Sequence, residues 1–428
     1  MLRRERDSNP RRFYPQRFSR PPQSTTLPSL RGKSTIFFPF QNKKIDPHLF
    51  TGKIRIFTSG TTKFPAAQAV PAAIRPGSPF SLAALSRKTR PMEKARIAIV
   101  ILNWNGKRFL EQFLDGVKAS CPPEAEVVVA DNGSADGSVA YLKQQHPEVA
   151  VLEFRENLGF AGGYNAALDA LDHEYCVLLN SDIEVEPHWI EPVIALMDND
   201  EKIAACQPKI LSWHDKARFE YAGAAGGYID RFGYPFCRGR MLGNLEKDTG
   251  QYNDTREVFW ATGACMFVRR IVFMELGGFD ERFFAHMEEI DLCWRMHNRG
   301  YRVMVCPDAE VYHIGGGTLP KANPQKTFLN FRNSLWMLAK NLPAGKFYPT
   351  MIMRLILDEM AALRFLFVGQ FRNCLAVGRA WWALMQKLRE MRRESRALPE
   401  DLPRLIYKRS MVLGYYLRGR KNFPDLKW

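Results

Sequence analysis

Hydrophobic and polar positions along this chain change between two periods. Ile97–Leu102 is an unbroken apolar run, the pattern of a strand buried on both faces. Phe109, Leu110, Phe113, Leu114 and Val117 then recur at helical spacing and predict a helix over 107–119. Glu126–Ala130 and Ala150–Glu153 read as further strands, with a helix over Ser138–Gln145 between them. A helix over Gly163–Leu171 leads to a fourth strand at Cys176–Leu179. This alternation predicts an α/β fold, a mostly parallel sheet flanked by helices. Polar clusters follow three of the strands: Asn103-Trp104-Asn105-Gly106, Asp131-Asn132-Gly133-Ser134 and Asn180-Ser181-Asp182. Ligands of open α/β sheets bind beyond the carboxyl ends of the strands. One such cluster would read as turn chemistry; three point to a site.

The two ends of the chain break the pattern. Residues 1–91 hold 12 of the 27 prolines, none of the eight cysteines, and 18 Lys+Arg against 3 Asp+Glu. Proline at that density stops helices and central strands, so 1–91 reads as a disordered or non-native leader. No apolar run follows the early arginines, as a secretory signal requires, while the Arg-rich, acid-poor composition keeps a transit peptide open. Met92 opens "MEKARIAIVILNWNG" as a natural start would. At the other end, Met351–Lys387 is rich in Leu, Phe, Met and Trp but lacks the roughly 20 uninterrupted apolar residues of a membrane span. On one helical wheel Arg354, Asp358, Arg372, Arg379 and Lys387 share a side, with Trp381 and Trp382 as interfacial anchors. Residues 339–428 therefore read as a basic amphipathic helical extension. It lies on an anionic membrane surface, or packs on the rest of the chain or across a dimer. Residues 92–338 form the α/β domain.

Charge sharpens this division. The 428 residues carry a formal net charge of +16. That total resolves into +15 over 1–91, −10 over 92–338 and +11 over 339–428. Nucleic acid is accordingly not an expected partner. The turn after the first strand has no G-x-G-x-x-G, and the chain has no G-x-x-x-x-G-K-[ST], which argues against dinucleotide binding and P-loop chemistry. The cysteines form no C-x-x-C pair, so a zinc site or disulfide framework is not expected and a reducing cytoplasm is consistent.

"VILNWNG", "VVADNGSADGS", "RENLGFAGGYNAAL", "LLNSDIEV", "ATGACMFVRR", "LGGFDERFF", "HMEEIDLCWR" and "VYHIGG" occur in that order. Together they resemble the signatures of family-2 glycosyltransferases of the GT-A fold, over about Ile97–Thr318, with "NFRNSLWML" beyond. The nearest subgroup is the rhamnosyl- and galactofuranosyltransferase-like enzymes of surface-polysaccharide assembly. The resemblance implies a nucleotide-sugar donor, a saccharide or lipid-linked acceptor, inversion at the transferred sugar and a divalent metal, Mg or Mn. It implies a cytoplasmic protein, peripheral on the inner face of the plasma membrane.

The resemblance also implies roles for particular residues. Asp182 matches the metal-binding Asp, and His313 a position that supplies a further ligand in some relatives. Asn180 stands where many relatives carry the first Asp of an acidic pair. Glu289 matches the base, between Glu288 and Asp291. Asp131 matches the residue that holds the nucleotide base, with Asn103 alongside. Asn157, Gly159 and Asn165 resemble the donor-side loop, and Trp260, Thr262 and Gly263 the acceptor-facing loop. Each has a bland reading beside it: helix N-caps for Asp182 and the acidic cluster, core packing for His313 and Trp260, an Asx-turn for Asp131. Two rival functions remain at this point. A sugar-nucleotide pyrophosphorylase would need a Gly-rich basic loop after the first strand, which Asn103–Gly106 does not supply. A catalytically inactive sugar- or membrane-binding scaffold would accommodate Asn180 and Glu289 where relatives carry other acids.

Overall fold

The computed structural model describes residues 95–315, 323–394 and 401–428, and the backbone of Ile56–Phe57. Those two residues apart, the leader expected over 1–91 lies outside the described residues, as does the 316–318 end of the stretch that carries the resemblance. The described chain runs β1 (Ile97–Asn103), α1 (Lys107–Ala119), β2 (Ala125–Asp131), α2 (Ser138–Gln145), β3 (Ala150–Glu153), α3 (Gly159–Asp169) and β4 (Tyr175–Asn180). It continues through β5 (Ile183–Val185), α4 (Glu191–Asp198), β6 (Ile203–Ser212), β7 (Cys265–Arg269), α5 (Arg270–Glu275), α6 (Glu288–Asn298) and β8 (Arg302–His313). Four helices follow: α7 (Pro324–Asn341), α8 (Ala344–Phe367), α9 (Phe371–Glu394) and α10 (Met411–Arg418).

β1 feeds two cores at once, as its unbroken apolar run requires. Ile97, Ile99 and Ile101 join Leu110, Leu114 and Val117 of α1; Ala98 and Val100 join Ala161, Tyr164 and Leu168 of α3. The sheet order is β3-β2-β1-β4-β7-β6-β8. β3, β2, β1 and β4 pair in parallel, as do β6 and β8, while β7 runs antiparallel between β4 and β6. The mostly parallel sheet holds at its centre, with β7 reversed within it and short antiparallel strands at its margins, β5 and Arg256–Glu257 on β8 and Ile56–Phe57 on β3. Between β6 and β7 a small antiparallel sheet forms from Gly227–Ile229, Pro235–Cys237, Arg240–Met241 and Asn244–Leu245. β5 pairs with the end of β8, setting His313 opposite Ile183.

α7 runs through position 338/339, where the charge composition changes. Gly369, at φ 74°, and Gln370 then reverse the chain between α8 and α9. A single wheel over 351–387 does not survive this break. Arg354 and Asp358 point inward and are essentially fully buried, whereas Arg372, Arg379 and Lys387 are exposed. The inward pair is well partnered, as buried charge must be. Arg354 lies 3.3 Å from Asp358 and donates to Phe232 O and Ser334 Oγ; Asp358 accepts from Tyr234 Oη and Trp381 Nε1. Trp381 is therefore tied to the interior, leaving Trp382 as the exposed tryptophan. Among the described residues, no helix is long and apolar enough to cross a membrane.

Candidate active site

The three polar clusters converge because β2, β1 and β4 are parallel neighbours and end at the same edge. Asn103 Nδ2 donates to Asp131 Oδ2 at 3.0 Å and to Ser134 Oγ at 3.2 Å. Ser134 N–H donates back to Asp131 Oδ1 at 2.9 Å. A Cβ on Gly106 would sit 2.5 Å from Asn103 Oδ1 and 3.3 Å from Ser181 Oγ, so the first and third clusters touch there. Asp131 is buried and holds this Asx-type turn together, which is its bland reading; Asn103 Oδ1 is buried with no hydrogen-bond partner among the described residues.

Asp182 and His313 meet beyond β4. His313 Nε2 lies 3.2 Å from Asp182 Oδ1, and the Asn180 amide nitrogen comes within 3.4 Å of the same ring nitrogen. On the far side of the ring, Nδ1 is 3.2 Å from Glu220 Oε2, an ion-pair distance without hydrogen-bond alignment. The two sides thus contribute Asp182 and Glu220. Burial alone would raise the Asp182 carboxyl, but the hydrogen bond and charge of His313 hold it below the usual range. Burial alone would lower the imidazole, but Asp182 and then Glu220 push it up to about 10. A cation would displace that proton, so metal and proton compete for Nε2. Among the described residues, no cluster of three His, Cys, Asp or Glu is arranged to hold a metal ion by itself. Asp182 and His313 fit a half-site for a divalent cation whose other ligands come from phosphate oxygens and water. Glu220 was not legible beforehand: it sits in the irregular stretch after β6 and belongs to none of the motifs.

The acidic cluster opens α6. His286 and Met287 both adopt φ 73°, which swings Glu288 and Glu289 into the interior. One reason such a turn persists is Asn333 on α7, whose amide donates to Phe283 O, Ala285 O and His286 O. Arg332 adds donations to Arg282 O and Phe283 O. Glu288 Oε2 and Glu289 Oε2 are buried without hydrogen-bond partners among the described residues. Burial pushes Glu289 up to about 7, and burial plus the Glu289 charge raises Glu288 well above the usual carboxylate range. Asp291 is different. Lys340 and Arg295 outweigh its burial and hold its carboxyl low, and it accepts from Lys340 Nζ, Arg295 Nε and Asn341 Nδ2. It is an internal anchor, whereas Glu288 and Glu289 each keep one buried oxygen without a partner among the described residues.

The segment 260–264 links the two acid groups. Asn180 N–H donates to Ala264 O at 2.9 Å, and a Cβ on Gly263 would lie 3.9 Å from Glu289 Cβ. Thr262 is buried, its N–H donating to Gln207 Oε1. Trp260 does not face an acceptor. Its ring is buried over Gly227, where a Cβ would come within 2.0 Å, and Nε1 donates to Tyr228 O. The core-packing reading holds for Trp260.

The donor-side residues are placed as braces. Asn157 Oδ1 accepts from Gly159 N–H and from Asn132 Nδ2. Gly159 takes φ 76° and leaves no room for a side chain against Phe284. Asn165 is occupied by Phe279, donating to its O and accepting from its N–H, and donates to Glu281. Its amide is committed to the chain's own turn rather than turned toward the Asp182 cluster.

Residues 98–277 match the family description "Glycosyl transferase family 2". N-acetylglucosaminyl-diphospho-decaprenol L-rhamnosyltransferase of Mycobacterium tuberculosis is 28% identical, over 51% of this chain and 75% of its own length. Rhamnosyltransferase WbbL of Escherichia coli is 24% identical, over 51% of this chain and 83% of its own. Among solved structures, GalNAc-T7 with UDP, GalNAc and Mn2+ overlaps at a TM-score of 0.48 and 17% identity, over 60% of this chain and 50% of that one.

Proposed function

Starting from residues 98–277 as a family-2 glycosyltransferase domain, we propose that this chain transfers a sugar, with inversion, from a nucleotide-sugar donor to a saccharide or lipid-linked acceptor. The setting is cell-surface polysaccharide assembly, at the inner face of the plasma membrane. Residues 92–338 carry the chemistry and 339–428 form a basic extension that contacts the membrane peripherally. One observation carries the reading most. Glu289, whose buried Oε2 has no hydrogen-bond partner among the described residues, stands beside Gly263, one peptide from the carbonyl that Asn180 engages next to Asp182 and His313.

Inverting transfer needs an acceptor hydroxyl stripped of its proton, a donor held in line, and a neutralised leaving group. Glu289 takes the proton at its carboxylate; a pKa raised to about 7 suits a group that must accept and release protons near neutral pH. Burial and the Glu289 charge also raise the Glu288 carboxyl well above its ordinary range, which disfavours two negative charges side by side. Asp182 and His313 would hold a divalent cation, Mg or Mn, with Asn180 alongside. When bound, such a cation supplies Lewis-acid charge neutralisation for the leaving diphosphate. Glu220 faces Nδ1 of His313 and keeps Nε2 turned toward Asp182, the usual task of a carboxylate behind a ligand histidine. Asn103, Asp131, Asn157 and Gly159 shape the donor side.

A donor panel read by nucleotide release, with Mg2+ or Mn2+ added, tests the reading. Glu289→Gln and Asp182→Ala are each expected to slow release by about 10²–10⁴-fold while leaving the melting temperature within a few degrees. Wild-type rates from both variants would remove these residues from the chemistry.

A further inference from the structure

α8 and α9 are apolar on two sides. Phe347, Met351, Leu357, Val377 and Leu384 are buried, together with the charged pair Arg354–Asp358. A second apolar set faces outward: Tyr348, Ile352, Ile356, Met360, Leu363 and Phe367 recur every three or four residues along α8 and are each at least half exposed. Phe367 reaches 85% exposure at the closed end of the hairpin, where Val368 and Phe371 continue the strip. Leu375, Trp382 and Met385 extend it onto α9. Water does not favour so long a contiguous apolar strip; such patches mark binding surfaces.

The charges around the strip choose the occupant. Arg364, Arg372 and Arg379 are exposed beside it, and Lys387 and Arg389 follow along α9. Acidic residues are scarce: between 344 and 394 nine basic residues face four acidic ones, and one of those four is the buried Asp358. A second copy of the chain would bring the same arginines against these. An anionic bilayer instead offers phosphates to the guanidinium groups and acyl chains to the strip. Since no described helix can span, the geometry is that of a hairpin lying in the interface. We infer that the outward faces of α8 and α9, with the turn Phe367–Phe371 at their tip, are a docking surface for an anionic lipid bilayer.

The inference deepens the proposed function, since it takes the lipid-linked acceptor as the reason for docking, but binding is read without donor or acceptor and so stands or falls separately. The test is flotation of the full-length chain with phosphatidylethanolamine vesicles containing phosphatidylglycerol, and with phosphatidylcholine vesicles. The expected result is flotation with the anionic vesicles and little with phosphatidylcholine. Leu363→Glu with Phe367→Glu should cut recovery about tenfold or more, and Arg364→Ala and Arg372→Ala about fivefold each. Circular dichroism and nucleotide release from a soluble acceptor should stay at wild-type levels in all of these. Equal flotation of wild type and the Leu363/Phe367 variant would overturn the inference. So would a wild-type dimer in light scattering that the same substitutions convert to monomer, because the occupant is then a second copy.

Discussion

The strand-end site and the α8–α9 hairpin both bury acids, to opposite ends. Around α6 Glu288 and Glu289 each bury an Oε2 that has no partner among the described residues, and their pKa values rise. Inside the hairpin, Asp358 has an arginine, a tyrosine and a tryptophan on its two oxygens. The first arrangement is costly to folding and is the kind found where chemistry is done. The second is saturated, costs less, and lets the helix turn its apolar side outward. Burial of charge is therefore a poor guide to function in this molecule, and the count of unmet donors is a better one.

The largest way to break that contrast is Asp358→Ala. Removing the carboxylate strands Arg354 and should cost about 3–5 kcal/mol in urea unfolding, whereas Arg354→Met with Asp358→Leu should recover most of it. If the single substitution is silent, the pair is not what orients α8. Next comes Glu220→Gln, expected to weaken Mn2+ binding about 10–100-fold by calorimetry without unfolding the chain; unchanged affinity would sever Glu220 from His313. The pH response is a smaller effect. Folding raises Glu289 from 4.5 to about 7, so the fold prefers the protonated acid. Its stabilising contribution is whole below about pH 4.5 and is lost as pH rises through about 7. Transfer, which needs the ionised base, should rise across that same window. Glu289→Gln should flatten the stability slope between pH 5 and 8, and an unchanged slope would assign it to another group. Smallest of all, Trp382→Ser should change thermal stability by less than about 0.5 kcal/mol, since its ring is mostly in solvent.

Much of the first half of the fold was readable because local pattern and tertiary packing agree there. The helices 107–119 and 138–145 and the strand 150–153 fall where their spacing puts them. α3 starts at Gly159 rather than Gly163 because Phe160 and Ala161 donate their N–H groups to Phe284 O, a cap from over a hundred residues away that glycine-rich sequence hides. Motif order pointed to Asp182 and His313, which the fold brings to 3.2 Å, and to Glu289, whose carboxyl is raised by burial; their roles are the proposed ones. It misplaced Trp260, because an aromatic beside a site and one under a glycine look alike in sequence. It could not find Glu220 or Asn333, which act through long-range contacts and leave no periodic trace.

The bond from Asn341 and Lys340 to Asp291 also has a consequence in time. A chain is made from its N-terminus at about 5–20 residues per second, so α6 exists for some seconds with Asp291 lacking these two partners. Asn333 arrives in the same late stretch to fasten the turn at His286 and Met287. The turn that opens α6 is thus completed by the segment that leads directly into the hairpin. A chain assembled in this order has the opening of α6 fully braced only once α7 has been made, just before α8 and α9 follow.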